Sequence, residues 1–321
     1  MMFHEFSNKC FLITGATGLI GQSLSKSLLS YGGKIIAVVR DQEKAKRIFG
    51  EDGNISYIVS DVTELEIKRY DVDYIIHAAA CTSSREFINN PVGVINVAIE
   101  GTRRTLEIAK MSGVKGYLYL SSMEVYGTPV NDEIIDEMHS TNLNTMSPRS
   151  AYPESKRTCE CLCASYFSQF NVPVKVVRLT QTFGPGVLYN DGRVFAEFAR
   201  CVIESRNIIL HTKGDTKRSY LYTEDAVGAI LTVLLKGKNG EAYNAANEET
   251  YCSIYEMAEM VASEIADNDI KVIVEEKDIT SFGYAPTLHM NLDTEKIKNL
   301  GWEAKVGLKE MYERLIEDMK S

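Results

Sequence analysis

A tyrosine and a lysine four residues apart, Tyr152-Pro-Glu-Ser-Lys156, open a segment with helical spacing. On a helix, positions i and i+4 share a face, so the ammonium of Lys156 lies beside the phenol of Tyr152 and draws its pKa down from an ordinary value of about 10. A phenolate tuned in this way is a base for the proton of an alcohol. Upstream, Leu120-Ser121-Ser122-Met123-Glu124-Val125-Tyr126-Gly127 ends a strand-like run. It brings Ser122 to where its hydroxyl can hydrogen-bond the same alcohol oxygen. Each motif alone is compatible with ordinary packing.

About 130 residues before the tyrosine, a short apolar run enters Gly15-Ala-Thr-Gly18-Leu-Ile-Gly21 and then an amphipathic segment. Three glycines in a turn and first helical turn let the backbone of Gly15, Thr17, Gly18, Leu19, Ile20 and Gly21 meet a pyrophosphate. A glycine-rich structural turn is the alternative. The second strand ends Ala37-Val-Val-Arg40-Asp41, with Arg40 where an acid would accept from the adenosine ribose. A guanidinium there pairs with a 2'-phosphate, so the expected cofactor is NAD(P), leaning to NADP; Asp41 turned toward the ribose, or Arg40 as a solvated side chain, restores NAD. Asp61 and Val62 follow the third strand, and Ala78, Ala79 and Ala80 follow the fourth, small enough to let a cofactor lie close. His77, flanked by apolar residues, reads as a core histidine and is given no chemistry.

The elements that must position these groups alternate. Strand-like runs at 10–14, 34–39, 55–59, 73–77, 116–120 and 174–179 are separated by helical patterns such as 19–30, 92–112 and 151–170. That alternation predicts an α/β protein with a doubly wound parallel sheet. Beyond about residue 180 the pattern is less regular, with helical stretches near 193–205, 223–236, 253–266 and 307–320. We expect residues 1–180 to form the cofactor domain and 181–321 a smaller α/β substrate lobe over the strand ends, with some chain crossing between them.

The 321 residues carry 35 Lys plus Arg against 44 Asp plus Glu, a net charge of -9, so nucleic acid and anionic membrane are poor partners. A compact diphosphate is still admissible, held by a few arginines and a helix N-terminus. Arg193 and Arg218 are the basic positions that stand out for it in an otherwise acidic half. The seven cysteines are odd in number and scattered, which points to a reducing cytoplasm; Cys159, Cys161 and Cys163 point to different helix faces, and no metal site is expected. No apolar run is long enough to span a bilayer, and the N-terminal residues lack an export pattern. Tyr284 and Trp302 read as core of the small lobe, and 128–150 as a polar surface loop bordering the substrate.

Taken in order, these motifs resemble the extended short-chain dehydrogenase/reductase family, specifically its nucleotide-sugar epimerases, dehydratases and decarboxylases. The match runs through Gly15/Gly18/Gly21, Asn96-Val-Ala-Ile-Glu-Gly101-Thr102, Ser121 to Gly127, Tyr152 to Lys156, Arg178-Leu, Phe183-Gly-Pro-Gly186 and Arg218 to Asp225. The resemblance implies a Rossmann domain and adds Asn96 to the cofactor contacts and Gln181 to the substrate contacts. It also implies that Tyr152 takes a proton from a sugar hydroxyl, usually at C4, with Lys156 on the nicotinamide ribose. A homodimer through 92–112 and 151–170 is a further implication.

The same resemblance orders the reactions. Dehydratases place an Asp and a Glu at positions 123 and 124, and Met123 cannot donate the proton that expels a C6 hydroxyl, which disfavours a 4,6-dehydratase. Asn190 to Val194 followed by Lys217 to Tyr222 looks most like the UDP-glucuronate decarboxylase branch, in which Glu124 and Arg218 serve the reacting end and the sugar diphosphate. Met123 and Arg40 depart from that branch. The expected activity is C4 oxidation of a nucleotide-diphosphate sugar followed by epimerisation or decarboxylation and re-reduction. An NADPH-dependent keto-sugar reductase is the alternative, and a non-catalytic cofactor-binding regulator is disfavoured by the intact Ser122, Tyr152 and Lys156.

Overall fold

Strands in the first half are apolar on both faces, and in a computed structural model describing residues 3–277 and 287–321 they form the interior of one large sheet. In chain order the first elements are β1 (Cys10–Thr14), α1 (Leu19–Ser30), β2 (Lys34–Val39), α2 (Gln42–Phe49), β3 (Ile55–Val59) and β4 (Tyr74–His77). Then come α3 (Ser84–Asn89), α4 (Pro91–Ser112), β5 (Gly116–Ser122), β6 (Ile134–Ile135), α5 (Ala151–Phe170), β7 (Val174–Leu179) and β8 (Gln181–Phe183). The remainder is α6 (Val194–Ile203), β9 (Ile208–Leu210), β10 (Lys217–Tyr222), α7 (Thr223–Lys236), β11 (Ala242–Ala245) and β12 (Asn247–Ser253). It closes with α8 (Ile254–Met260), β13 (Val272–Val274), β14 (His289–Leu292), α9 (Glu295–Lys298) and α10 (Leu308–Lys320).

The large sheet has seven strands in the order β11-β7-β5-β4-β1-β2-β3, all parallel. The chain builds outward from β1 to β3 and then returns to the other side of β1 with β4. The order therefore reverses between β1 and β4, and a doubly wound sheet binds its ligand at the carboxyl ends of the strands at such a switch point. One face is covered by α1 and α7 and the other by α4 and α5. This is the doubly wound α/β fold that the alternation predicts.

Helix ends follow local chemistry. Asn90 caps α4 by accepting from the Gly93 amide at 3.2 Å, Pro91 occupies the first turn, and Gly113 at φ +65° ends it. Ser253 and Glu256 form a reciprocal capping box on α8.

In the second layer β10 is central, in the order β12-β10-β14-β6 with β8 also on β10, while β9 and β13 pair separately. The two halves of the chain share both layers: α7 and β11 join the large sheet, and β6 joins the small one. Segment 128–150 is thus more than a surface loop. It adds a strand, and Ile135 is buried with Met290 and Leu292. Trp302 is core, but of the large sheet, where its indole donates to the Asp225 carbonyl at 3.1 Å. Tyr284 lies outside the described residues. No helix of the described residues is long and apolar enough to cross a membrane.

Glycine-to-alanine changes inside a helix ordinarily stabilise by up to about 1 kcal/mol. Gly21 in α1 should reverse that sign, because a Cβ there would overlap the Gly15 carbonyl oxygen and stand 2.9 Å from Ala16 Cα. Gly21→Ala is expected to destabilise by about 1–3 kcal/mol in urea unfolding. A variant as stable as the wild type would show that turn and helix are not pressed together.

Candidate functional site

The glycine turn is a backbone cradle at the switch point. Gly15 has φ +69°, and a Cβ on it would lie 2.8 Å from the Ala78 carbonyl carbon and the Ala79 nitrogen. Only glycine lets the ends of β1 and β4 come this close. α1 starts at Leu19 with Gly18 as N-cap, no side chain capping it and no acid in its first turn. The amides of Leu19, Ile20 and Gly21 therefore lack helical acceptors and face outward with the positive end of the helix dipole. That donor set fits a pyrophosphate. Thr17 flanks the turn, half-buried, and Ala78, Ala79 and Ala80 line the opposite strand end, also half-buried.

Around the remaining predicted cofactor positions the picture is mixed. Arg40 is exposed, and Asp41 caps α2 by accepting from the Lys44 amide at 2.9 Å, which leaves it engaged with the helix. Asp61 accepts from the amide and hydroxyl of Thr63 at 2.9 and 2.7 Å, and these bonds, the amide first, hold its carboxyl below the usual range. Val62 is buried against Gly101, and Asn96 sits exposed on α4. His77 bridges Thr14 at 2.7 Å and Thr102 at 3.2 Å, and burial pushes its pKa down to about 3. It is a neutral core histidine.

The groups expected to react come from β5 and α5. β5 delivers Ser122, after which a single 3-10 turn over Met123–Tyr126 buries Met123 and Tyr126 and leaves Glu124 half-buried. The Ser122 hydroxyl accepts from the Glu124 amide at 3.2 Å. Tyr152 and Lys156 share the buried face of α5. The Lys156 ammonium donates to the Leu120 carbonyl at 2.6 Å and stands 5.8 Å from the centre of the Tyr152 ring, and burial lowers its pKa to about 8.

The expectation that Lys156 lowers the phenol pKa does not hold in this structure. Burial first, then the Glu124 carboxylate, raise the Tyr152 pKa well above its ordinary value, and the opposing influences are a hydrogen bond from Ser122 and the charge of Arg149. The ammonium is turned to a backbone carbonyl at the strand end, 5.8 Å from the ring centre, and its charge is not among the main influences on the phenol.

Two site residues escaped the sequence reading. The ring of Phe87 stacks on Tyr152 with centroids 4.5 Å apart and planes at 14°, and Arg149 lies 4.9 Å over Phe87 while binding both oxygens of Glu124 at 3.0 and 3.2 Å. Arg149 carried one faint signal: it is the single Lys or Arg between residues 128 and 150 and lies three positions before the tyrosine. Phe87 carried none. A buried network backs the turn, with Ser121 donating to Glu160 at 2.5 Å, Glu160 paired to Arg178 at 2.6 Å, and Arg178 donating to the Tyr126 hydroxyl at 2.9 Å.

On the substrate side, Gln181 pairs with Tyr220 across β8 and β10, two residues from Arg218. The Thr180 hydroxyl donates to the Ser219 carbonyl at 2.5 Å and lies 3.3 Å from the Met123 sulfur, so β10 is tied to the turn after β5. Arg218 Nε is buried with no hydrogen-bond partner among the described residues. Arg193, expected to face a diphosphate, is instead forked onto Asp191 with contacts of 2.7 to 3.2 Å, because its own sequence supplies a carboxylate two residues away.

A model of the NAD dependent epimerase/dehydratase family matches residues 11–246. UDP-glucuronic acid decarboxylase 6 of Arabidopsis thaliana is 30% identical over 321 residues, covering 98% of this chain and 90% of the relative. UDP-glucuronic acid decarboxylase 1 of the same plant is 29% identical, covering 97% and 69%. Among solved structures, a UDP-glucose 4-epimerase from Thermotoga maritima, determined with UDP-glucose, superposes with TM-score 0.82 at 22% identity, covering 97% of this chain and 98% of that one.

The buried lysine gives a pH test. Its folded pKa of about 8 lies below the unfolded value of about 10.5, so between those values the unfolded chain binds the extra proton and stability rises with pH. Comparing wild type with Lys156→Met by urea unfolding, the wild type should gain on the variant by up to about 3 kcal/mol as pH rises from 7 through 10. A difference that does not change with pH would mean that the ammonium is solvated.

Proposed function

The chain belongs to the NAD dependent epimerase/dehydratase family and is an enzyme, and from that premise we propose that it oxidises a nucleotide-diphosphate sugar at C4, decarboxylates or epimerises the 4-keto sugar, and reduces it again. The observation that carries this reading is Arg218, whose buried Nε lacks a partner among the described residues and whose strand is joined through Thr180 to the turn that follows Ser122. An unpaired buried guanidinium nitrogen is costly unless an anion meets it, and a sugar diphosphate is such an anion.

In this reading Gly15, Thr17, Gly18, Leu19, Ile20 and Gly21 hold the dinucleotide pyrophosphate, with Asp61, Val62, Ala78, Ala79, Ala80 and Asn96 along the rest of it. When bound, the nicotinamide supplies the acceptor and then the donor of hydride for the sugar. Tyr152 accepts the C4 hydroxyl proton and later returns it, and Ser122 hydrogen-bonds the same oxygen. Lys156, 5.8 Å from the centre of the phenol ring, would hold the nicotinamide ribose. Glu124, held by Arg149, borders the reacting end, while Gln181 and Arg218 face the sugar and its phosphates. Met123 is buried with its sulfur against Thr180 and offers no proton for loss of a C6 hydroxyl. Because the relatives named above are UDP-glucuronic acid decarboxylases, a nucleotide uronate is the first substrate to try. Residues 1–180 and 181–321 serve as cofactor domain and substrate lobe in the same reading, with pairing of two copies through α4 and α5.

A net keto-sugar reductase using NADPH is favoured by one observation: Arg40 is exposed at the end of β2 while Asp41 is engaged as a helix cap. Mass spectrometry of any dinucleotide released on denaturation separates the two. Retained NAD supports the self-recycling enzyme, and an empty site that prefers NADPH, with the preference lost in Arg40→Ser, supports the reductase.

Tyr152→Phe should lower kcat at least about 100-fold while nucleotide-sugar binding by calorimetry is unchanged. A variant that keeps its turnover would show that another group is the base.

A further inference from the structure

We propose that Arg149 is a positioning residue for Tyr152: it grips the Glu124 carboxylate at two points and, through the ring of Phe87, fixes the plane of the phenol. The inference rests on the reading of Tyr152 as the base. Its ground is a layered arrangement, with phenol on phenyl at 4.5 Å and nearly parallel, and guanidinium over that phenyl at 4.9 Å. Both terminal nitrogens of the same guanidinium bond one oxygen each of Glu124. A planar fork of this kind fixes direction as well as distance, which a lysine in its place would not do.

The contacts come from three separate places in the chain. Phe87 lies on α3, Glu124 on the turn after β5, and Arg149 on a 3-10 turn over Pro148–Ser150 that leads into α5. Arg149 and Glu124 are largely shielded, with side chains 14% and 24% exposed, so solvent screens their fields incompletely. The phenol thus has opposite charges acting on it. The carboxylate disfavours phenolate and the guanidinium favours it. The other groups facing it are the Lys156 ammonium, the Ser122 hydroxyl, the Cys81 thiol and the Tyr119 phenol. With both oxygens held by the fork, the carboxylate is kept from swinging onto the phenol and accepting its hydrogen bond.

The consequence is a pair of effects with opposite signs, which a merely structural residue would not produce. Phenolate is read from its ultraviolet band in protein loaded with NAD+ along an alkaline titration carried from about pH 9 up to the limit at which the fold is kept. Each variant is measured against the same variant carrying Tyr152→Phe, so that the difference reports one tyrosine. Glu124→Gln should hold roughly three- to tenfold more phenolate than wild type, and adding Arg149→Met should remove most of that gain. Glu124→Gln with Arg149→Lys should retain the gain, since the charge persists, whereas Arg149→Lys alone, which keeps the charge but loses the fork, should lose the near-ultraviolet circular dichroism that Tyr152 owes to its fixed plane. If methionine unfolds the segment, Arg149→Gln carries the same arm. Equal phenolate with and without Arg149 in the Glu124→Gln background, or more phenolate in Arg149→Met than in wild type, would overturn the proposal. No turnover enters this measurement. Failure of every nucleotide sugar as substrate would sink the proposed function and leave the titration standing.

Discussion

A lysine ammonium buried at the carboxyl end of β5 is the constraint around which the site is arranged. Taking that charge out of water costs several kcal/mol, offset in part by the short bond to the Leu120 carbonyl. The bond fastens the first turns of α5 to the end of the fifth strand. Because Tyr152 is one turn earlier on the same face, its depth and direction follow from where Lys156 is tethered. Ser121, Glu160, Arg178 and Tyr126 complete the tether from the other side, joining α5 and β7 to the turn that carries Ser122 and Glu124. The Tyr126 hydroxyl in turn donates to Asn244 at 2.5 Å, which carries the network to the end of β11. These bonds are buried, so each member is costly to leave unpaired, and the network is rigid for that reason.

The lobes are joined by equally specific contacts. α7 is buried along most of its length because the large sheet lies on one side and β10 on the other. Its Asp225 carboxylate accepts from the amides of Lys305 and Val306 at 2.9 and 3.0 Å, and its carbonyl from the Trp302 indole. The segment between the serine and the tyrosine crosses to the small layer as β6, and the Asn244 side chain donates to the Ile135 carbonyl at 3.0 Å. The small layer and the turn after β5 are therefore joined, with Thr180 placed between the Met123 sulfur and the Ser219 carbonyl.

Much of the fold was legible because its signals are local. The strand at 10–14 and the helix at 19–30 fall where the periodicity predicts them, and the three glycines mark the close approaches: Gly15 against Ala78, and Gly18 and Gly21 against the Gly15 carbonyl. Tyr152 and Lys156 share a face because the helical repeat requires it. Two expectations went astray for one physical cause, which is that the sequence does not say what a side chain meets. Arg193 meets Asp191, and the Lys156 ammonium meets a carbonyl in place of the phenol.

By itself the sequence determined the α/β alternation, the glycine spacing after β1, and the shared helix face of Tyr152 and Lys156, because each depends on spacing within a short stretch of chain. Only the tertiary structure decided the electrostatics of that tyrosine. Phe87, Glu124 and Arg149 reach it from three stretches of chain whose meeting is set by how the sheet closes and which helices cover it. Charge acts through distance and solvent exposure, and neither quantity exists until the chain has folded.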